Sequence, residues 1–357
     1  FIVSKNFKNI TKADVVIICV PTPLNKFREP DLGPVLSSAS KIQKFLKKGQ
    51  LIILESSTYP GTTDDVLTKE LEKSNLKANE EFFLAYSPER EDPGNKKFST
   101  STIPKIVGAD TLFSRKLASE LYKKVISDVV TVSSSRTAEA TKLTENIFRS
   151  VNIALVNELK TIYDVMEIDI WEVIEAAATK PFGYMPFYPG PGLGGHCIPI
   201  DPFYLTYKAR EFEVPTKFIE LAGEINTSMP HFVLKKVIDS LSLVSGKPIR
   251  GAKILIIGMA YKNDIADLRE SPSLTLAKLL KQNKAKVSYH DNFIPVLPSL
   301  EGFSELAGMK SISLQKNVID KFDAILVITN HSYIDFDLIA QNAKLIIDTR
   351  NALKNLK

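Results

Sequence analysis

Cysteine is scarce in this 357-residue sequence, which has only Cys19 and Cys197. Two thiols cannot make the framework of a small secreted scaffold, so a reducing cytoplasm is the expected setting. No apolar run approaches the roughly 18 residues of a membrane span. The longest, around Ala13–Val20, is strand-sized, and the opening residues do not read as a signal peptide. Histidines number four; His196 has no second ligand at metal spacing, so no metal is expected. A block of one charge is also missing. Lys and Arg total 46 against 41 Asp and Glu, and the excess is spread along helix faces such as Lys41–Lys48. That pattern argues against nucleic acid and suits a small anionic ligand; with no spanning run, no membrane partner is expected.

What is present is ordinary for a globular chain: 44% hydrophobic and 24% charged residues. The length allows two or three domains. Asp14–Val20 is a near-continuous apolar run ending in Pro21-Thr22-Pro23, the mark of a buried parallel strand. An amphipathic stretch over Pro34–Lys48 leads to strand Leu51–Leu54, then to a helix from Thr63 to about Lys73. Phe82–Ala85 and Lys105–Val107 read as further strands. This is βαβ logic and predicts a doubly wound sheet.

From Ser135 to about Glu175 apolar residues recur at helical spacing with no Gly or Pro. So long a helix reads as a connector or dimerisation element. A Gly/Pro-dense loop over 180–202 follows, then helix to about Ser242 and a linker at Ser245-Gly246-Lys247-Pro248. Strands at Lys253–Ile257, Lys286–Tyr289, Ala324–Ile328 and Lys344–Ile347, with a helix at Ser273–Gln282, make a second α/β unit. The division expected is 1–134, 135–244 and 245–357.

Tyr188–Pro202, YPGPGLGGHCIPIDP, is the most informative stretch. Its Gly190, Gly192 and Gly195 satisfy G-x-G-x-x-G, but no strand precedes them and no helix is expected to start at the last glycine, so the match is a decoy. Glycines on either side of one thiol instead bare the backbone around Cys197 and let a substrate approach it. Asp201, four residues on, adds an acid. Cys19, inside an apolar strand, reads as structural.

The motifs GGHCIPID (194–201), AEATKLTENIFRSVNIALVNEL (138–159), STYPGTT (57–63), YSPER (86–90) and GMAYKNDIADLRESPS (258–273) together resemble the UDP-glucose/GDP-mannose dehydrogenase family. Within it, the Tyr188–Glu211 stretch is most similar to the UDP-N-acetylglucosamine 6-dehydrogenases. The fold this implies is α/β: two Rossmann-like doubly wound domains, the first lacking its N-terminal βαβ, joined by a central helical domain with a long helix. The resemblance further implies NAD as cofactor, a UDP-sugar as substrate and a homodimer or larger assembly. The family's reaction oxidises an alcohol to an acid in two steps through an enzyme thioester, for which a thiol is the suitable nucleophile.

Residue by residue, the resemblance makes Cys197 the nucleophile. Lys142 and Asn146, four apart and so on one helix face, become the pair that holds the oxyanion and the substrate. Asp201 is the acid that acts as base or positions water, with Thr58 holding the same water. Glu89 is implicated in substrate binding and thioester hydrolysis. Beside it Arg90 offers a fork for a hydroxyl or pyrophosphate oxygen, where glucose-type enzymes carry a different sequence; Glu91 or Asp92 stands in for their second acid. Phe187, Tyr188, Gly194 and Lys262 are implied to line the substrate. Thr22, Ser57 and Thr58, at the carboxyl ends of parallel strands, are placed toward NAD with Arg269.

An N-acetylated hexosamine is favoured as the sugar; UDP-glucose and UDP-N-acetylmannosamine are the alternatives. The glycine fingerprint that grips a pyrophosphate is expected ahead of Phe1, in about 60 residues at roughly 30 per βαβ unit. A UDP-sugar-binding module without catalysis is the alternative of another class.

Overall fold

The computed structural model describes residues 3–25, 27–92, 98–195 and 197–356, with the Cys197 side chain outside that description. Two compact units divide the chain, one formed by residues 1–148 and 200–219, the other by 149–199 and 220–357.

In the first unit the strands are β1 (Val15–Ile18), β2 (Leu51–Leu54), β3 (Phe83–Tyr86), β4 (Lys105–Gly108) and β5 (Val129–Val132), hydrogen-bonded in that order. Helix α1 (Gly33–Ile42) links β1 to β2, a π-helical turn at Thr62–Leu67 runs into α2 (Thr68–Leu71), and α3 (Leu112–Tyr122) links β4 to β5. Edge strand β1, expected to be buried, has Ile17 exposed and only Ile18 buried, whereas strand β2 shows why the middle of the sheet is covered on both faces. Its Ile52 and Leu54 pack with Val35, Ala39 and Ile42 of α1 and with Leu67 and Leu71. Its Leu51 and Ile53 pack on Ala118 and Tyr122 of α3. Alternate residues of a strand point to opposite faces, so an unbroken apolar run needs a helical layer on each.

Two features depart from the expectation. Strand β4 pairs antiparallel to β3 through the single partnership Tyr86↔Gly108, so this sheet is mixed rather than wholly parallel. Strand β5 and helix α3 were not marked by the sequence pattern, because VVTV is short and only partly buried.

Three long helices have residues in both units: α4 (Ser135–Val165), α6 (Cys197–Arg210) and α7 (Lys217–Ser245). The unbroken helix expected to about Glu175 stops at Val165. Glu167 adopts a left-handed conformation (φ +58°), and the Asp169 side chain accepts from the Trp171 N–H to start α5 (Ile170–Ala177) afresh. The loop expected to reach residue 202 ends sooner, since α6 begins at Cys197. Pro199 falls in the first turn, where its missing N–H has no intrahelical role.

The second unit holds β6 (Lys253–Ile257), β7 (Lys286–His290), β8 (Ala324–Val327) and β9 (Ile346–Asp348), all parallel in the order β7-β6-β8-β9. Helices α8 (Pro272–Gln282), α9 (Lys316–Ile319) and α10 (Phe336–Asn342) connect them. Ile254 and Ile256 pack with α7 and α8, while Leu255 and Ile257 pack with Ile319 and Ile339 on the other side. The chain leaves β6 toward β7 and returns on the far side of β6 as β8. Strand order therefore reverses between β6 and β8, the place where open parallel sheets receive ligands at their carboxyl ends.

Candidate active site

In the first unit the long helix α4 and the start of α6 meet over an apolar cluster of Leu143, Ile200 and Tyr204 with Leu32 and Tyr59. That packing brings three of the expected catalytic side chains together. The Asn146 Nδ2 donates to Asp201 Oδ2 at 2.5 Å. Asp201 is fully buried, and burial pushes its pKa up to about 6, against the pull of the Lys142 charge and the Asn146 hydrogen bond. Its other oxygen, Oδ1, is buried with no hydrogen-bond partner among the described residues. An acid in this state is poised near neutrality and has an acceptor ready for an incoming proton donor.

Lys142, also buried, donates to the Glu89 carbonyl at 2.6 Å. The Glu89 carboxylate accepts from the Arg90 and Glu91 N–H groups and lies 3.2 Å from Lys105 Nζ. Burial alone would raise its pKa; Lys105 and those N–H groups outweigh that and hold it below the usual value. Arg90 is engaged differently from the expectation. Its guanidinium meets Glu145 of α4 through two nitrogens, at 2.7 and 3.3 Å, and donates to the Pro104 carbonyl at 2.6 Å. The fork ties the 86–92 segment to α4, a use that leaves less of it for a sugar or phosphate oxygen.

The strand ends are closely knit. Thr22 is buried and its hydroxyl donates to the Ser57 carbonyl at 2.8 Å, while the Tyr204 hydroxyl donates to the Thr22 carbonyl. Thr58 is buried and shares a 2.5 Å hydrogen bond with Thr62. Gly61, at φ +98°, turns the chain so that its N–H and that of Thr63 both reach the Glu139 carboxylate, at 2.6 and 2.9 Å. Burial pushes Glu139 up to about 7, opposed by these donors.

Cys197 is the first residue of α6, and its side chain and His196 lie outside the described residues. So do Pro93 and Gly94 of the acidic segment after Arg90. No three His, Cys, Asp or Glu side chains among the described residues form a metal-holding group.

In the second unit the loop leading to Cys197 is fixed by its neighbours. Gly190 N–H donates to Asn157 Oδ1 at 2.9 Å, and Asn157 in turn bonds Asn226 of α7. Tyr188 stacks on Trp171, with ring centroids 5.6 Å apart. Phe187 packs beside Val156, Ile170 and Ile174. Gly194 faces Tyr261, which leaves no room for a side chain. Lys262 follows Tyr261 on the loop after β6, at the reversal of strand order. Arg269 pairs with Asp267 at 2.6 Å.

Sequence models for three parts of one family match the chain: the NAD binding domain of the UDP-glucose/GDP-mannose dehydrogenase family at residues 1–126, its central domain at 136–228 and its UDP binding domain at 255–355. The chain belongs to the UDP-glucose/GDP-mannose dehydrogenase family. It is 33% identical over 354 residues to a UDP-N-acetyl-D-glucosamine 6-dehydrogenase of Pseudomonas aeruginosa, covering 99% of this chain and 82% of the relative. It is 34% identical to a UDP-N-acetyl-D-mannosamine dehydrogenase of Methanococcus maripaludis strain C7, over 96% of this chain and 77% of that one. The solved structure of a UDP-D-ManNAc dehydrogenase from Pyrococcus horikoshii superposes with a TM-score of 0.87 at 29% identity, over 98% of this chain and 80% of that one.

This dehydrogenase is thus an NAD-dependent oxidoreductase of UDP-sugar type. The fold fits the cofactor: β1 and β2 lie side by side and parallel, and partly exposed Ser57 follows the carboxyl end of β2, where open parallel sheets receive a nucleotide; the Thr22 and Thr58 hydroxyls beside it are buried and already bonded to Ser57 and Thr62. Two acids and bases of the first unit escaped the sequence reading. Glu139 stands inside the AEATKLTEN motif between two alanines, a signal of burial that went unused. Lys105, which opens an apolar strand, contacts both Glu89 and Glu55; only its position before an unbroken apolar run hinted at a buried lysine.

Proposed function

We propose that this dehydrogenase oxidises the C6 hydroxyl of UDP-N-acetylglucosamine to the uronic acid through a thioester on Cys197. The observation that carries the reading is Asp201: a fully buried acid, pushed up to about 6, with one oxygen unpartnered and Asn146 on the other. NAD, when bound, supplies the hydride acceptor for both oxidations.

The chain's own residues do the rest. Lys142 and Asn146 hold the C6 oxygen and stabilise negative charge on it, and Asp201 takes the hydroxyl proton. The Cys197 sulfur then bonds the aldehyde carbon, which is captured before it can diffuse away. After the second oxidation Asp201, with Thr58, aligns the water whose attack breaks the carbon–sulfur bond, and Glu89 assists that hydrolysis. The acid leaves and the thiol is restored. Residue 197 occupies the first turn of α6, where the helix dipole favours negative charge. Thr22, Ser57, Thr58 and Arg269 face the cofactor; Lys262, Phe187, Tyr188 and Gly194 face the nucleotide sugar. Arg90 serves by holding the Glu89 segment against α4. The working division is 1–134 for NAD, 135–244 for the catalytic helices and loop, and 245–357 for UDP.

UDP-N-acetylmannosamine is the second reading, because relatives and a solved neighbour with that name share as much of the chain as those named for N-acetylglucosamine. Steady-state rates with UDP-N-acetylglucosamine, UDP-N-acetylmannosamine and UDP-glucose separate them. The expected result is the highest kcat/KM with the first, and two NADH released per sugar consumed. Release of one NADH would overturn the thioester route, and no oxidation of any of the three would favour a binding module.

The assembly proposed is a homodimer through α4. Phe148, Leu155 and Ile162 recur at seven-residue intervals on that helix and are all about half exposed, an apolar stripe that a second copy would cover. Light scattering should give twice the chain mass, and Leu155→Glu should halve it.

A further inference from the structure

The turn that carries Lys262 is held by a buried pair, His331 and Asp291. His331 is fully buried on the loop after β8. Its Nδ1 accepts from the Asp264 backbone N–H at 2.9 Å, so the ring donates through Nε2, which lies 3.1 Å from Asp291 Oδ2. That same oxygen accepts from the Met259 and Ala260 N–H groups at 2.7 and 3.0 Å. Oδ1 accepts from the Phe293 and Ile294 N–H groups. Asp264 itself is left-handed at φ +61°, and its carboxylate takes the Ser332 N–H and hydroxyl. Both ends of the 259–264 turn are therefore fastened to one histidine and one aspartate. A strained backbone of this kind persists only where its surroundings fix it.

The turn has another face. A Cβ built on Gly194 would lie 2.5 Å from Tyr261 Cβ, and one on Gly195 would lie 2.9 Å from its ring. Gly195 N–H also donates to the Arg269 carbonyl at 2.9 Å. The two glycines ahead of Cys197 are moulded to the turn that His331 and Asp291 hold.

We propose that His331 and Asp291 are positioning residues for the oxidation: they fix the 259–264 turn, which presents Lys262 and, through Tyr261, locates the Gly194–Gly195 backbone leading into Cys197. The inference rests on Lys262 as a nucleotide-sugar ligand and Cys197 as the nucleophile. Neither His331 nor Asp291 touches a reacting atom in this scheme.

Hydrogen exchange and kinetics on the full chain test it together. In His331→Leu, loss of a buried hydrogen bond should raise KM for UDP-N-acetylglucosamine and lower kcat roughly tenfold each. Exchange at residues 190–195 should speed up by about the same factor, while Kd for NAD stays within roughly twofold. His331→Asn, which keeps an acceptor for the Asp264 N–H, should recover most of the KM change. Unchanged exchange at 190–195 in His331→Leu overturns the proposal. Faster exchange spread evenly over β6, α8 and β8, without recovery in His331→Asn, also overturns it, since that marks loss of core packing alone. If His331→Leu does not fold, Tyr261→Ala decides: Gly194–Gly195 should exchange faster with the Asp264 amide still protected, and equal protection at the glycines overturns the relay. Full activity in Cys197→Ala would break the nucleophile assignment and leave the exchange result standing.

Discussion

Among the described residues each unit has one aspartate with no exposed surface, Asp201 in the first and Asp291 in the second, and the two are treated in opposite ways. Asp201 in the first unit takes one hydrogen bond from Asn146, leaves Oδ1 without a partner and is pushed up to about 6 by burial. Asp291 in the second unit takes four backbone N–H groups and His331. For it too burial favours the neutral form, but His331 and the backbone donors outweigh that and hold its pKa below the usual carboxylate value. A buried acid given all its donors is a fixed joint, because its charge is fully compensated. One left short of donors stores the cost of its charge and releases it when a proton arrives, which is what general-base chemistry asks.

The comparison can be broken by changing either acid. Asp201→Asn has the largest expected effect, a fall in kcat of about 10²- to 10⁴-fold, measured as NADH formation. Stability should move the other way. A native pKa raised above the unfolded value gives stability that is full below pH about 4 and lost as pH rises through about 6. The neutral Asn removes that loss, so at pH 8 the variant should gain up to about 3 kcal/mol in chemical denaturation. A variant less stable than the parent at pH 8 would show that Asp201 is structural after all.

Lys142→Ala comes next, with kcat lowered about 10²-fold and KM changed much less. It also sharpens the contrast, since the Lys142 charge opposes the rise at Asp201. The acid limb of kcat/KM, expected near pH 6 in the parent, should therefore move to higher pH in the variant. A limb that stays put would detach Lys142 from Asp201.

Asp291→Asn has the smallest effect on chemistry and the clearest one on folding. An amide nitrogen would face donors that now find an acceptor, costing about 3 kcal/mol. Its pH signature is the reverse of the Asp201 one: a lowered native pKa gives stability present above pH about 4 and lost as pH falls below it. Tm between pH 3 and 8 for the parent and both Asn variants would show the two slopes separately.

The strands β2 and β6 were legible in the sequence because LIIL and the ILII that follows Lys253 are unbroken apolar runs, and both were bounded to the residue. That Lys142 and Asn146 share one side of α4 was legible from their spacing; that this side meets Glu89 and Asp201 rather than solvent was not, since a Lys/Asn pair on a long helix ordinarily faces water and only the family resemblance pointed inward. Other features were not, for physical reasons. The start of α6 at Cys197 was hidden by Pro199 and Pro202, which local rules read as loop. The break after Val165 depends on a left-handed Glu167, a conformation that no side-chain pattern announces. The engagement of Arg90 with Glu145 joins residues 55 apart, a pairing that only the folded chain reveals.

Cys19 stands immediately after β1, one residue past the apolar strand to which the sequence assigned it, and its sulfur donates to Glu55 at 3.5 Å. Partial burial of the sulfur and that carboxylate push its pKa up to about 11. A thiol-directed label applied at pH 8 therefore meets Cys19 almost wholly protonated and slow to react. The scarcity of cysteine then becomes an analytical asset: in a chain with two thiols, Cys19 exposed but slowed by its raised pKa, a faster labelling phase would report Cys197.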